Sequence, residues 1–240
     1  MRKLAMRCAA AAMLLAGGIG QVMAGTVYDA AADFSPTSNP NGVWSYGSAT
    51  LSSLTTGSTY TFSAYTNNIT PFSGIQGWGA SAGTPSVTYN PTGSAVTVGT
   101  VIWAPGELAF HPGSDAGSVS IVEFTAPTTS YYNVAAIWQT DDTTGPASSN
   151  LVAYGINGVL GGTAPIGTAF HTQATGNGKF LLNAGDTFDF MIYAQTYGFN
   201  TTGIAATVTA VPEPSSFALV GLGGLGLALG AYRRRRATAA

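Results

Sequence analysis

Residues 59–65 read Thr-Tyr-Thr-Phe-Ser-Ala-Tyr, a stretch in which apolar and hydroxyl-bearing side chains alternate one by one. Tyr60, Phe62 and Ala64 would lie on one side of an extended chain, and the hydroxyl residues between them on the other. This period of two predicts a β-strand with one side in the core and one in solvent. The same alternation recurs at residues 95–103, 119–124, 132–138 and 187–193.

Turn-forming residues separate these stretches. Asn157-Gly158 predicts a two-residue hairpin, because both residue types accept a positive φ angle. Residues 184–186 (Ala-Gly-Asp) predict a second turn, before residues 187–193. Between the two ends of the chain, no stretch carries an apolar stripe at helical spacing. The central part therefore reads as an all-β, antiparallel β-sandwich.

Charge is distributed unevenly along the 240 residues. Lys179 is the only Lys or Arg between residues 25 and 210, since all the others lie near the two ends. The same region carries nine carboxyl residues: Asp29, Asp33, Glu107, Asp115, Glu123, Asp141, Asp142, Asp186 and Asp189. A domain with one cation cannot neutralise a row of phosphates, so we expect no nucleic-acid partner.

The N-terminal 24 residues have the layout of a secretory signal peptide. A basic start is followed by an apolar run at residues 9–19, and small residues precede a predicted cleavage between Ala24 and Gly25. An uncleaved anchor is the alternative, but the apolar run is short for a membrane span. Cys8, the only cysteine, lies in this segment, so we expect no disulfide in the mature domain.

The C-terminal 30 residues have three parts. Val211-Pro212-Glu213-Pro214 comes first, then the nearly uncharged residues 215–232, and then the run Arg233-Arg234-Arg235-Arg236. The middle part is long enough to predict a transmembrane helix. The arginines predict a membrane stop that stays cytoplasmic and leaves the domain outside.

This tail resembles the PEP-CTERM sorting signal of Gram-negative bacteria in all three parts. The resemblance implies recognition by an exosortase at the inner membrane and a cut near residues 211–214. It further implies an inner-membrane intermediate that is passed to the cell surface or the extracellular matrix, in bacteria that make exopolysaccharide. A permanent tail anchor is the alternative. We therefore expect a signal peptide (1–24), a β-sandwich domain (25–210) and a sorting signal (211–240).

Several short segments of the body resemble a recurrent domain of exported bacterial proteins related to carbohydrate-binding jelly rolls. They are residues 33–35 (DFS), 39–47 (NPNGVWSYG), 108–113 (LAFHPG), 122–127 (VEFTAP), 141–145 (DDTTG) and 182–190 (LNAGDTFDF). The resemblance implies a jelly-roll-like sandwich more firmly than it implies any ligand, because one fold carries many functions.

Aromatic residues are the candidates for stacking against sugars. Trp44, Tyr46 and Trp78 are the predicted glycan-binding residues, since flat rings can cover the apolar face of a pyranose. Trp103 and Trp138 lie in strongly alternating stretches, and we expect them in the core.

Carboxylates offer two further kinds of site. Glycoside hydrolysis needs a pair of carboxyl groups across a cleft, but Glu123 and Asp189 are expected to be exposed on their strands. Asp141-Asp142 begins an oxygen-rich stretch that could hold a structural Ca²⁺, although a plain acidic turn explains it as well. We expect no other cofactor.

The sequence thus predicts a non-catalytic, exported, exosortase-processed protein associated with extracellular polysaccharide or biofilm. One alternative is a glycoside hydrolase or lyase on a jelly-roll scaffold. Another is an ice-binding protein, for which the threonines at residues 55–61 are too irregularly spaced.

Overall fold

The computed structural model describes residues 25–212, apart from 73, 81–82, 116, 145–149, 167–172 and 196–197, together with Arg234. The predicted signal helix and transmembrane helix lie outside these residues. Within the described part, no helix has the length and apolar character needed to cross a membrane. Val27–Ala210 forms one compact unit. Both sheets and the core described below lie within it, which is the organisation of a domain with a hydrophobic core of its own.

The described residues of this unit form strands and no helix. The sixteen strands are β1 (Val27–Asp29), β2 (Trp44–Thr50), β3 (Ser63–Ala64), β4 (Asn67–Phe72), β5 (Ile75–Gly79), β6 (Ser86–Tyr89), β7 (Val96–Val98), β8 (Val101–Trp103), β9 (Leu108–His111), β10 (Ser118–Thr125), β11 (Ser130–Thr140), β12 (Asn150–Ile156), β13 (Val159–Ile166), β14 (Gln173–Leu182), β15 (Thr187–Ala194) and β16 (Thr202–Ala210). This confirms the predicted all-β class.

Two antiparallel sheets make up the sandwich. The large sheet has the strand order β14-β11-β16-β9-β6-β5-β4, with β1 also paired to β16. The small sheet has the order β13-β12-β15-β10-β2-β3. A separate hairpin joins β7 and β8. β4 and β14 therefore form opposite edges of the large sheet.

The core lies between the two sheets and is dominated by aromatic rings. Trp44 and Phe124 of the small sheet pack edge to face with 5.4 Å between ring centroids, and Phe124 meets Tyr132 of the large sheet at 5.5 Å. All three side chains are fully buried. Aromatic pairs in such geometry add to the free energy gained by burying their surface.

β11 shows the predicted alternation most clearly. Along Ser130–Thr140, residues that face the core alternate with residues that face solvent over almost the whole strand. Tyr132, Val134, Ala136 and Trp138 point inward, as the sequence pattern predicts. Asn157 and Gly158 have φ angles of 51° and 73° and join β12 to β13, which confirms the predicted hairpin.

Two of the predicted strands are different in the structure. Residues 59–65 contain only the two-residue β3, because the amide of Tyr60 bonds to the carbonyl of Gly158 instead of continuing a ladder with β2. Tyr60 nevertheless packs onto the outer face of the small sheet. Residues 95–103 form the hairpin β7–β8, because Gly99 takes a φ angle of 59° and reverses the chain.

Candidate functional site

The three aromatic residues predicted to bind glycans lie in the core. Trp44 and Tyr46 are fully buried and Trp78 is 7% exposed. The indole of Trp44 donates to the carboxylate of Asp33, and that of Trp78 to the carbonyl of Ser35. None of the three presents a ring face to solvent, so the structure corrects this expectation. The alternating strands that carry Trp44 and Trp78 turn these side chains inward.

A cleft of about 750 Å³ opens beside the β4 edge of the large sheet. Its lining combines aromatic, hydroxyl and ionisable side chains: Ile69, Thr70, Pro71, Phe72, Gly83, Thr84, Ser86, Thr88, Thr100, Val101, Trp103, His111, Asp142, Phe199 and Thr201. A well-formed concavity with apolar walls and a few convergent polar groups is the usual form of a ligand site. We call it the β4 cleft.

Aromatic rings form the apolar part of the β4 cleft. Phe72 and Phe199 are 41% and 45% exposed, which is unusual for large apolar side chains. Phe72 rests on Trp103 with 5.6 Å between ring centroids. Trp103 is itself held in place, since its indole N–H donates to the hydroxyl of Thr88 at 3.2 Å. The two phenylalanine rings are therefore the surfaces available for stacking.

Phe199 is held at the cleft in an uncommon backbone conformation. Its φ angle is 59°, in the left-handed region that bulky residues rarely enter. The next residue, Asn200, is fully buried; it accepts from the amide of Gly198 and donates to Asn150. Asn150 in turn donates to the hydroxyl of Thr202 at 3.0 Å. The buried side-chain amides of Asn150 and Asn200 thus fix the backbone that presents Phe199. Residues held in such strained backbone conformations are frequent at functional sites.

Two ionisable side chains form the polar part of the cleft. The Nδ1–H of His111 donates to the carbonyl of Pro112 at 2.7 Å, which fixes the tautomer because a carbonyl can only accept. Burial lowers the pKa of His111, so the ring is neutral near pH 7. Asp142 accepts from the hydroxyl of Thr100 at 2.8 Å and from the amide of Thr201 at 2.9 Å. Burial raises the pKa of Asp142, against the effect of these hydrogen bonds.

Asp141 and Asp142 do not face the same site. Asp142 lines the β4 cleft, whereas the fully buried carboxyl of Asp141 lies beside that of Glu107. Burial, followed by the charge of Glu107, raises the pKa of Asp141 well above its usual range. A Cβ atom on Gly203 would come within 2.3 Å of Glu107 Oε1 and 3.1 Å of Asp141 Oδ1, so only glycine leaves room for this pair.

The aspartates are therefore buried, not an exposed acidic turn. Among the described residues there is no group of three His, Cys, Asp or Glu side chains arranged to hold a metal ion. The calcium site suggested for Asp141 and Asp142 stays a prediction, and their divergence does not support a shared ion.

A second carboxyl pair lies on the outer face of the small sheet. Glu123 of β10 stands directly opposite Asp189 of β15, and the hydroxyl of Tyr60 donates to Asp189. Burial, followed by the charge of Asp189, raises the pKa of Glu123 to about 8. Burial raises the pKa of Asp189 to about 6. Near pH 7 the pair therefore holds one proton on Glu123.

The structure corrects the expectation that these two carboxyls are exposed. Asp189 is fully buried and Glu123 half-buried, because the segment that carries Tyr60 covers this part of the sheet. The strand alternation correctly placed both residues on the outer face. It could not show that a distant segment folds over them.

Sequence reasoning missed Phe72 and Phe199 as candidates. Phe199 follows Gly198 in a segment without alternation, and Phe72 follows Pro71 at the end of an edge strand. Either pattern is also common in ordinary turns. A large aromatic residue next to Gly or Pro, outside an alternating stretch, was the available signal for exposure.

Comparison with protein families identifies the tail. Residues 210–236 match the PEP-CTERM protein-sorting motif. This confirms the resemblance seen in the sequence and marks the chain as an exported protein targeted to an exosortase. No curated protein matches the chain in sequence.

Several solved structures align with the body at low similarity. A family 35 carbohydrate-binding module from Clostridium thermocellum aligns with 16% identity and a TM-score of 0.31, over 48% of this chain and 85% of the module. A CBM35 from Paenibacillus barcinonensis aligns with 15% identity and a TM-score of 0.30, over 78% and 99%. An arabinose-bound GH51 α-L-arabinofuranosidase aligns with 11% identity and a TM-score of 0.36, over 60% and 22%. At this similarity the alignments carry no conclusion about this chain, and its architecture rests on its own strand pairing.

Proposed function

We propose that the β-sandwich is a non-catalytic domain that binds extracellular polysaccharide through the β4 cleft, after export and processing of the chain. The observation that carries this proposal is the pair of exposed rings, Phe72 and Phe199, at a cleft whose remaining wall is rich in hydroxyl groups. Carbohydrates present an apolar C–H face and a hydroxyl rim, and this cleft offers a partner for each.

Stacking and hydrogen bonding act together in this proposal. A sugar ring covers Phe72 or Phe199, while its hydroxyls meet Thr100 and His111. The fixed backbone around Phe199 reduces the entropy lost on binding.

The positions of the carboxyl groups support binding in preference to hydrolysis. Glycosidases separate their two carboxyls by about 5 to 5.5 Å or about 6.5 to 9.5 Å, to leave room for the bond they cleave. Glu123 and Asp189 form one neighbouring pair and Glu107 and Asp141 another, and none of the four lines the β4 cleft. Among the described residues that line the β4 cleft, Asp142 is the one carboxyl.

The two ends of the chain complete the proposal. Cleavage between Ala24 and Gly25 releases the signal peptide, and the segment 215–232 then holds the chain in the inner membrane, with Arg233 to Arg236 as its cytoplasmic stop. An exosortase cuts near Val211-Pro212-Glu213-Pro214. The domain then reaches the cell surface or the extracellular matrix.

Binding is tested with residues 25–211 and a panel of bead-bound polysaccharides. We expect at least one polysaccharide to retain the domain, and Phe199→Ala to weaken retention by about five- to tenfold through the lost aromatic contact. Tyr131→Ala is the matched control, because Tyr131 is 48% exposed on the outer face of β11, away from the cleft. Equal loss in both variants, or no retention at all, would contradict the binding role.

Processing is tested by mass spectrometry of the mature C-terminus in the native host. We expect a terminus near residues 211–214, and accumulation of the uncut chain in the inner membrane when Pro212 and Pro214 are replaced by alanine. Recovery of a mature chain that still ends at Ala240 would contradict exosortase processing.

A further inference from the structure

We infer that the β4 cleft selects uncharged glycans and excludes those bearing carboxylates, and that Asp142 sets this selectivity. The inference rests on the proposed polysaccharide binding. It concerns which chemical class of glycan the same site accepts.

Among the described residues that line the cleft there is no Lys or Arg with which an acidic sugar could pair. Lys179 is the only Lys or Arg between residues 25 and 212, and it lies on β14, at the opposite edge of the large sheet from β4. Its ammonium group sits 4.7 Å from the centre of the Tyr131 ring. Lys179 pairs with Asn133 of β11, seven residues before Thr140, where β11 ends next to Asp142. At about 3.3 Å per residue this separation is about 23 Å, well beyond the screening length of about 8 Å at physiological salt.

His111 does not supply the missing charge near neutral pH. Burial keeps its imidazole neutral, and its Nδ1–H is already engaged by the carbonyl of Pro112. A uronate carboxylate next to this ring would therefore lose water without gaining an ionic partner. Desolvating a charge without pairing it is strongly unfavourable.

Asp142 adds a direct barrier to acidic glycans. Both of its oxygens accept hydrogen bonds, from the Thr100 hydroxyl and from the Thr201 amide, and these bonds favour the ionised form against the effect of burial on its pKa. Those bonds hold the group in place, and it is only 3% exposed, so it cannot turn away into solvent. A ligand carboxylate in the cleft would meet a fixed like charge.

Uncharged glycans meet no such barrier. Hydroxyl groups both donate and accept, and the threonines that line the cleft have the same property. A neutral hexose or pentose can thus satisfy these groups without bringing a charge out of water.

The test compares matched neutral and acidic polymers at pH 7.5 and physiological salt. Residues 25–211 are passed over beads that carry dextran, hydroxyethyl cellulose, xylan and the neutral glycan best retained in the panel above, each beside its carboxymethylated form. We expect the neutral member of a bound pair to be retained at least tenfold more tightly. Equal retention of both members overturns the selectivity alone, whereas retention of neither overturns the proposed function and the selectivity with it.

The Asp142→Asn variant tests whether Asp142 is the residue that causes this selectivity. Removing a like charge a few ångströms from the ligand in a partly wet site is worth about tenfold in affinity. We expect Asp142→Asn to reduce, by about that factor, the ratio of retention between the neutral and the carboxymethylated member of a pair. Asp115→Asn removes the same charge from an exposed position outside the cleft lining and is expected to leave this ratio unchanged. Equal reductions in both variants, or a folded Asp142→Asn domain that still rejects the acidic polymer, would refute the role of Asp142.

Discussion

Replacing Glu123 by glutamine should make the domain more stable at mildly alkaline pH. Glu123 and Asp189 lie opposite each other on β10 and β15, and the proton on Glu123 lets it donate to Asp189. Glutamine has nearly the same shape and donates through its amide at every pH. The variant therefore keeps the hydrogen bond and removes the ionisation that opposes it.

The sign and size of the effect follow from proton linkage. In the unfolded chain Glu123 titrates near its ordinary pKa of 4.5, whereas in the folded domain burial and Asp189 raise the pKa to about 8. Between these values the folded state binds more protons, so the free energy of unfolding falls as pH rises. At about 1.4 kcal/mol per pKa unit the loss would approach 5 kcal/mol. Because Glu123 is only half-buried, solvent screening reduces the loss over this whole interval to about 2 kcal/mol, of which about 1 kcal/mol falls above pH 6.5.

The assay is thermal unfolding of residues 25–211 followed by circular dichroism between pH 6.5 and pH 9. Above about pH 6.5, Asp189 contributes little further change, since its pKa is about 6. For a domain of this size, about 1 kcal/mol corresponds to a Tm difference of about 2 to 4 °C. Between pH 6.5 and pH 9 we expect the wild-type Tm to fall by about that much more than the Tm of Glu123→Gln. Asp115→Asn, at an exposed carboxyl, should follow the wild type. If Glu123→Gln lost stability as steeply as the wild type over this range, Glu123 would not be the titrating group.

Three further predictions concern the contacts around this pair and the cleft. Tyr60→Phe removes the hydroxyl that donates to buried Asp189 and should cost about 1 to 3 kcal/mol in urea unfolding. Gly155→Ala should also destabilise the domain, since the new Cβ would lie 1.8 Å from the Tyr60 hydroxyl oxygen. The double variant Gly155→Ala/Tyr60→Phe should lose less stability than the sum of the two single variants, which a double-mutant cycle in urea would measure. Asn200→Ala breaks the amide bonds that fix Phe199, so retention on the polysaccharide beads should fall about as far as in Phe199→Ala, while the far-UV spectrum stays that of a β-sandwich.

The alternation of side chains was sufficient to identify three of the central strands. β10, β11 and β15 all lie where a period of two occurs, and each is paired on both sides. Residues 59–65 show the same period but form little ladder. There the alternation reflects packing of Tyr60 and its neighbours over the small sheet, which a local pattern cannot distinguish from strand pairing.

The functional side chains were harder to predict because their roles depend on distant neighbours. Asp189 is buried because Tyr60, far away in sequence, covers it. Asp141 and Asp142 are adjacent in sequence, yet one meets Glu107 and the other Thr100 and Thr201. Such pairings depend on strand order, and strand order could not be read from the sequence. Trp44 and Tyr46 were predicted to bind sugars but are buried, since a residue type suited to sugar binding is just as suited to a core.

Because several carboxyl groups are buried in pairs, the count of charged residues overstates the negative charge of the domain near pH 7. The domain carries nine carboxyls against one lysine, but Asp141, Asp142 and Asp189 are buried, and Glu107 and Glu123 are half-buried beside two of them. Each of the two carboxyl pairs keeps a proton at pH values above the usual carboxyl pKa, so the net charge near pH 7 is less negative than the number of carboxyl residues indicates. The surface therefore depends on hydroxyl and amide groups for its contact with water. Hydroxyl groups also line the β4 cleft, and a domain that presents few ions to solvent is better suited to a neutral polymer than to a charged one.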